Sequence, residues 1–148
     1  MAAKDTKPAV ETVTVKVDGR PVEVPRMTPN WEGEPEPTTV LQACKQAGIE
    51  IPHYCYHPKL PVSGNCRMCL VHVAMPGRPG ADGKLPMNED GTPKVFPMQL
   101  PYEPQTPRGV IGCATGIIPG MEIYASSPET KEMREAIMES LLINHPLD

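Results

Sequence analysis

The sequence has few aromatic residues and no long apolar segment. Phe, Trp and Tyr make up 4% of its 148 residues, so a packed core must be built mainly from aliphatic side chains. No stretch approaches the roughly 18–20 apolar residues that a helix needs to cross a bilayer. Residues 1–7 carry charges that are not followed by the apolar run of a secretion signal. We therefore expect a soluble, intracellular protein.

An excess of basic residues is also missing. Fourteen Lys and Arg residues against 18 Asp and Glu residues give a net charge of −4, and no basic stripe is available to neutralise phosphates, so nucleic-acid binding is not supported. There is no G-x-G-x-x-G after a strand and no Walker-type loop. No convincing pair of nucleophile and base occurs either. We expect neither a nucleotide site nor hydrolytic chemistry in this chain.

Proline, by contrast, is abundant, with 20 residues, and its distribution suggests how the chain is organised. Residues 1–10 are polar and aperiodic and are predicted to form a flexible tail. Residues 11–125 are predicted to be one domain. Within it, residues 75–109 are rich in Pro and Gly and are interpreted as an excursion over the surface, with a small hairpin at its base. Residues 126–148 are predicted to contain a C-terminal helix.

Local patterns in the N-terminal part predict a β-hairpin and a short helix. Residues 12–17 and 22–24 alternate polar and apolar side chains around Asp18-Gly19, a pair that favours a type I′ turn. Residues 27–37 are predicted to be a loop because Pro, Gly and Glu are frequent there.

The helix is predicted from its capping signals. Thr39 and Gln42 have the spacing of a capping box, and Gly48 is suited to end the helix after Ala47. Further along the chain, residues 70–73 and 121–124 are predicted to be strands.

The C-terminal helix has both a start signal and an apolar stripe. Ser126-Ser-Pro-Glu129 combines a Ser cap, an early Pro and an acidic first turn. The stripe is predicted to pack on the core, and its members are Met133, Ile137, Met138, Leu141 and Leu142.

The five cysteines are the strongest chemical signal. Reducing compartments keep thiols free and an odd number cannot pair completely, so a disulfide framework is not expected. Four of them form the pattern Cys55-x10-Cys66-x2-Cys69 with a distant Cys113, and four soft thiolates suit an iron–sulfur cluster or zinc. Zinc ribbons usually offer two close ligand pairs, whereas only Cys66 and Cys69 are close here. The spacing favours a cluster and leaves zinc as the alternative.

The cysteine loop also contains residues suited to surround negatively charged sulfur. Ser63-Gly64-Asn65 can supply backbone N–H donors, and Gly64 permits a positive φ and a close approach to the sulfurs. Such donors tune the reduction potential of a cluster. Arg67 either adds a positive charge nearby or lies on the exposed surface.

Other potential ligands are predicted to have structural roles. Cys44 falls on the apolar side of the short helix and is expected to pack in the core as a small hydrophobe. His53, His57 and His72 lie near the cysteines, but a Rieske centre needs two Cys-x-His pairs. Only Cys55-Tyr-His57 resembles one.

Five short segments together resemble a known family. They are Ile51-Pro-His-Tyr-Cys-Tyr-His-Pro, Gly64-Asn-Cys-Arg-Met-Cys-Leu-Val, Gly112-Cys-Ala-Thr, Pro119-Gly-Met and Leu141-Leu-Ile-Asn-His-Pro-Leu-Asp. In this order they resemble the N-terminal part of the large iron–sulfur subunit of respiratory complex I, the proton-pumping NADH:quinone oxidoreductase. The resemblance covers roughly residues 12–148.

This resemblance implies a fold, a cofactor and a function. The fold is α+β, a β-grasp 2Fe–2S ferredoxin-like domain with a long loop insertion and a C-terminal helix. Cys55, Cys66, Cys69 and Cys113 would bind a 2Fe–2S cluster that transfers one electron at a time. The chain would be an electron-carrying part of the oxidoreductase and translocase, not catalytically complete alone.

The same resemblance implies partners and a location. The partners would be the flavin and NADH-binding subunit and the other iron–sulfur subunits, and the chain would lie in the cytoplasm, peripheral to the inner face of the cell membrane. The diaphorase or small subunit of an NAD-linked or iron-only hydrogenase is an alternative in the same redox class. A zinc-stabilised interaction module is an alternative from another class.

One feature of the family is incomplete in this sequence. His145 matches a histidine that, with a following Cys-x2-Cys-x5-Cys, binds a 4Fe–4S cluster in the family. Those cysteines are absent after Asp148, and one ligand cannot hold such a cluster. His145 is therefore a possible 4Fe–4S ligand only in a longer chain, and we interpret the sequence as a fragment of a longer subunit.

Overall fold

The computed structural model of the chain describes residues 10–100 and 108–146. Within these ranges the elements follow the order β1 Thr12–Val17, β2 Arg20–Pro25, β3 Met27–Pro29, β4 Pro35–Pro37, α1 Val40–Gln46, β5 Leu70–Pro76, β6 Val95–Pro97, β7 Gly109–Ile111, β8 Glu122–Tyr124 and α2 Pro128–Leu142. The predicted tail, residues 1–10, lies outside the described residues except for Val10.

A mixed sheet with one helix against it forms the centre of the fold. The strand order is β2-β1-β8-β5-β6, and β7 also pairs with β5. β1 and β8 are parallel, whereas the other pairs are antiparallel. Aliphatic side chains of the sheet and of α1 share one core, which includes Val15, Val17, Val40, Leu41, Val71, Val73, Met121 and Ile123. The predicted α+β, β-grasp architecture is confirmed.

The predicted N-terminal hairpin and helix caps are also confirmed. Asp18 and Gly19 both have positive φ, at 47° and 80°, as a type I′ turn requires. Asp18 also links the turn to the end of β8, because its Oδ1 accepts the Ala125 N–H at 2.8 Å. At the start of α1, Thr39 and Gln42 form the reciprocal capping box.

The prediction of a simple loop over residues 27–37 is wrong. β3 and β4 form a small antiparallel hairpin, and the Asn30 side chain accepts hydrogen bonds from the N–H groups of Glu32 and Glu34, both at 2.9 Å. Each strand has three largely exposed residues, so neither shows the alternation that identifies a longer strand.

The prediction that the α2 stripe packs on the core is wrong for its C-terminal half. The helix starts as expected, with Ser127 as N-cap and Pro128 in the first turn. However, Met138, Leu141 and Leu142 are 39%, 45% and 57% exposed. Contacts with β5 involve the N-terminal part of the helix, where Thr130 is buried. The apolar stripe therefore continues beyond the surface that the domain can cover.

The segment of residues 75–109 contributes to the sheet at both ends. β5 extends to Pro76 and pairs with β6, while β7, which the sequence did not predict, pairs with the start of β5. A Cβ on Gly77 would overlap the side chains of Pro86 and Phe96, so part of the segment is closely packed. Residues 101–107 lie outside the described residues. In the two described ranges, neither helix has the length and apolar character needed to cross a membrane.

Replacing Thr130 by Val is expected to lower the free energy of unfolding by about 1–3 kcal/mol. The Thr130 hydroxyl donates to the Tyr124 carbonyl at 2.6 Å and accepts the His72 N–H at 3.2 Å. Val has a similar shape but leaves both partly buried groups without this partner. Chemical denaturation measures the loss. The control, Thr14→Val on the exposed face of β1, should change stability by less than about 0.5 kcal/mol, and equal losses would contradict the argument.

Candidate metal centre

The fold brings the four predicted cysteines into one neighbourhood. Cys55 and Cys66 lie in the loop between α1 and β5, Cys69 immediately precedes β5, and Cys113 follows β7. Because β7 pairs with the start of β5, the distant Cys113 comes next to Cys69. All four cysteines are free thiols; Cys69 and Cys113 are buried, and Cys55 and Cys66 are half-buried.

Cys55 and Cys66 form the outer pair of thiols. The pKa of Cys55 is lowered to about 6 by several hydrogen bonds. The donors are the Ser63 hydroxyl, the backbone N–H and thiol of Cys66, and the Asn65 N–H. Each donor stabilises the thiolate more than the neutral thiol. Gly64 is buried with a φ of 62°, so the predicted positive φ within this loop is confirmed.

Cys69 and Cys113 form the inner pair. The Cys113 N–H donates to the Cys69 Sγ at 3.4 Å. The pKa of Cys113 is raised to about 12, mainly by burial. The hydrogen bond between the two thiols and the negative charges of Cys69, Cys55 and Cys66 raise it further. The four sulfurs are thus close enough to influence one another's ionisation.

The inner pair depends on a close approach of two backbones. The Gly112 N–H donates to the Cys69 carbonyl at 3.0 Å, and the Gly112 carbonyl accepts the Leu41 N–H at 2.9 Å. A Cβ on Gly112 would lie 2.9 Å from the Cys69 carbonyl oxygen, which is too close for an ordinary contact. Gly112 therefore allows β7 and α1 to fix Cys113 beside Cys69. The sequence signal that could have identified this role is the position of Gly112 directly before Cys113, a candidate ligand.

The donor set fits a group with two metal ions and negatively charged sulfur. Besides the donors to Cys55, the Met68 N–H donates to the Cys66 Sγ at 3.4 Å. Within residues 10–100 and 108–146, no three His, Cys, Asp or Glu side chains converge on a position for a single metal ion. The thiols form two neighbouring pairs, an arrangement that would suit a two-iron cluster with two thiolates on each iron.

Arg67 and the spare cysteine lie outside this arrangement. Arg67 is exposed and has a left-handed φ of 61°, so it belongs to the surface of the loop. Cys44 is fully buried in the core, as predicted, and burial raises the pKa of its thiol to about 12.

The nearby histidines make local contacts. The His53 Nδ1 lies 2.8 Å from the Ile51 carbonyl, and the His57 Nδ1 accepts the Lys59 N–H at 3.2 Å. The His72 ring packs near Tyr124, with ring centroids 5.4 Å apart. His145 is exposed beyond the end of α2, and its N–H donates to the Leu142 carbonyl.

Comparison with known sequences finds one matching family and several similar proteins. The family described as the 2Fe-2S iron-sulfur cluster binding domain matches residues 10–91, a range that contains Cys55, Cys66 and Cys69 but not Cys113. The chain is 37% identical over 93% of its length to the mitochondrial NADH dehydrogenase (ubiquinone) iron-sulfur protein 1 of Solanum tuberosum. It is also 37% identical, over 92% of its length, to the NADH-ubiquinone oxidoreductase 75 kDa subunit of Reclinomonas americana.

These similarities concern a small part of each relative. The chain spans 13% of the Solanum protein and 14% of the Reclinomonas protein. Among solved structures, an NAD+-reducing NiFe hydrogenase in its H2-reduced state aligns with a TM-score of 0.53 and 22% identity. That alignment covers 87% of this chain and 37% of the hydrogenase chain, and it shows a shared fold.

Proposed function

The chain belongs to the family of 2Fe-2S iron-sulfur cluster binding domains, and on this premise we propose that Cys55, Cys66, Cys69 and Cys113 are the ligands of its cluster. The single observation that carries the assignment is the pairing of Cys69 with Cys113 beside the Cys55 loop. It adds a fourth thiol to the three within the matched residues. A cluster of this type has four protein ligands, and this group supplies four.

Each thiol pair would hold one of the two irons. Cys55 and Cys66 would bind one iron, and Cys69 and Cys113 the other. The N–H donors to the Cys55, Cys66 and Cys69 sulfurs would stabilise their negative charge. When bound, the cluster accepts and releases one electron. Cys113 must lose its proton for ligation, so iron binding has to compensate for the burial that keeps this thiol neutral.

The electron would be relayed within an NADH:quinone oxidoreductase. The relatives at 37% identity carry the names of an NADH dehydrogenase protein and of an NADH-ubiquinone oxidoreductase subunit, which favours this assignment. The hydrogenase alternative has weaker support, because the similarity at 22% identity concerns the fold alone. The zinc module is disfavoured by the family match.

The proposal extends to partners and location. A flavin-bearing, NADH-binding subunit would supply electrons, and further iron–sulfur subunits would accept them. The chain would lie on the cytoplasmic side, attached to the membrane through that complex, since quinone is a membrane substrate. His145 would ligate a 4Fe–4S cluster only where the necessary cysteines follow it.

We expect the chain reconstituted with iron and sulfide to be reduced by dithionite but not by NADH. The sequence has no nucleotide-binding signature, so electrons from NADH require a flavin-bearing partner. Anaerobic absorption and electron paramagnetic resonance spectra measure reduction with each donor, before and after addition of that partner. Metal analysis of the same sample tests the zinc alternative.

Two outcomes would contradict the proposal in different places. Stoichiometric zinc with no acid-labile sulfide would contradict the cluster itself. NADH oxidation by the pure reconstituted chain would instead reveal a nucleotide site without a recognisable sequence motif. A chain preparation without added iron, tested in parallel, controls for direct reaction between NADH and the reagents.

A further inference from the structure

Arg134 is a partly buried cation that contacts the backbone of the residue following Cys69, one of the proposed ligands. It lies on α2, and its Nε donates to the Leu70 carbonyl at 2.9 Å. Leu70 directly follows Cys69, so this hydrogen bond ties α2 to the ligand-bearing end of β5. The two residues are 64 positions apart in the sequence, so no local sequence pattern predicts this hydrogen bond.

The Arg134 guanidinium is only partly satisfied. Its NH2 nitrogen is buried and has no hydrogen-bond partner among the described residues. A buried donor without a partner is costly, and a charged one more so. A nearby negative charge would offset the cost of burying this cation without a hydrogen-bond partner.

The negative charges around Arg134 include a candidate ligand. Burial lowers the pKa of Arg134, whereas Cys44, Cys69 and Asp18 raise it. Cys44 is neutral at ordinary pH because its own pKa is raised to about 12. That leaves Cys69, which becomes a permanent thiolate when it binds metal, and Asp18 at the hairpin turn.

We propose that Arg134 raises the reduction potential of the cluster held by Cys69 and its partners, an inference that rests on the proposed function. Reduction adds one negative charge to the site. A fixed positive charge stabilises the reduced state more than the oxidised state, and burial weakens the solvent screening that would otherwise cancel this effect. Hydrogen bonding, net charge and solvent exposure are known to set cluster potentials.

The exposed cation one turn earlier on α2 provides a matched control. Lys131 has a side chain that is 76% exposed and that pairs with Glu135 at 3.6 Å. Neutralising Lys131 removes the same charge from the same helix, but from a position where water and salt screen it. A change in net charge alone would affect both variants alike, whereas Arg134→Lys keeps the charge at the buried position.

The test is a redox titration of the reconstituted chain, followed by electron paramagnetic resonance, in wild type, Arg134→Gln, Arg134→Lys and Lys131→Gln. At the wild-type midpoint we expect the ratio of oxidised to reduced cluster to rise about tenfold in Arg134→Gln, a shift of about 59 mV for a one-electron couple. Arg134→Lys should retain most of the wild-type potential, and Lys131→Gln should match wild type.

A wild-type midpoint in Arg134→Gln with an intact cluster would overturn the inference. If Arg134→Gln does not hold a cluster, Arg134→Met takes its place. Failure of both neutral variants with retention of the cluster in Arg134→Lys would show that the charge serves assembly rather than potential, which would also overturn it. Absence of a binuclear signal in the wild-type chain would instead contradict the proposed function.

Discussion

Cys113→Ser is expected to remove the binuclear cluster, whereas Cys44→Ala is expected to leave it in place. Cys113 is buried against Cys69, and a serine hydroxyl is a much poorer ligand for iron because it is harder to deprotonate than a thiol. Cys44 is equally buried but lies in the aliphatic core. We expect iron and acid-labile sulfide to fall from two of each per chain to a small residual amount in Cys113→Ser and to stay at two in Cys44→Ala.

Serine substitutions of the other three proposed ligands provide further tests of the assignment. Cys55→Ser, Cys66→Ser and Cys69→Ser should each weaken or abolish the electron paramagnetic resonance signal of the reduced cluster. Circular dichroism of the cluster-free proteins shows whether the fold persists. Loss of the cluster in Cys44→Ala together with its retention in Cys113→Ser would refute the ligand assignment.

The parts of the fold that the sequence predicts are those with local causes. The turn at Asp18 and Gly19 needs two positive φ angles, and the capping box joins residues three positions apart. Both depend on chemistry within one short segment. Cys55, Cys66 and Cys69 were likewise recognisable because their spacing is itself a local signal.

The parts that escaped prediction depend on distant partners. β7 has three residues, and pairing with β5 rather than its own propensity makes it a strand. The exposure of the α2 stripe depends on where the sheet ends, which helical periodicity does not encode. The position of Arg134 has the same origin, since its hydrogen bond joins residues far apart in sequence. Cys113 is also far from Cys69 in sequence, and its inclusion in the predicted ligand set rests on the number of cysteines and on the family resemblance, not on a local pattern.

In the cluster-free chain, Cys55 should be alkylated at pH 7 at least about a hundred times faster than Cys113 or Cys44. With a pKa of about 6, Cys55 is about 90% thiolate at pH 7, whereas a thiol with a pKa of about 12 is ionised in about one molecule in 100,000. The lower intrinsic nucleophilicity of the more acidic thiol offsets about half of this advantage on a logarithmic scale. Burial of Cys113 and Cys44 adds to the difference.

The pH dependence tests the cause of this reactivity. The Cys55 pKa is lowered, so its alkylation rate should rise about tenfold per pH unit below pH 6 and level off above about pH 7. Ser63→Ala removes the hydrogen bond with the largest effect on the Cys55 pKa and should therefore shift the curve to higher pH. Peptide mass mapping after timed reaction with iodoacetamide measures each site.

Bound iron should protect Cys55, because a ligated thiolate is not free to react. Equal labelling of Cys55 and Cys113 in the cluster-free chain would contradict the two environments on which the division into outer and inner thiol pairs depends.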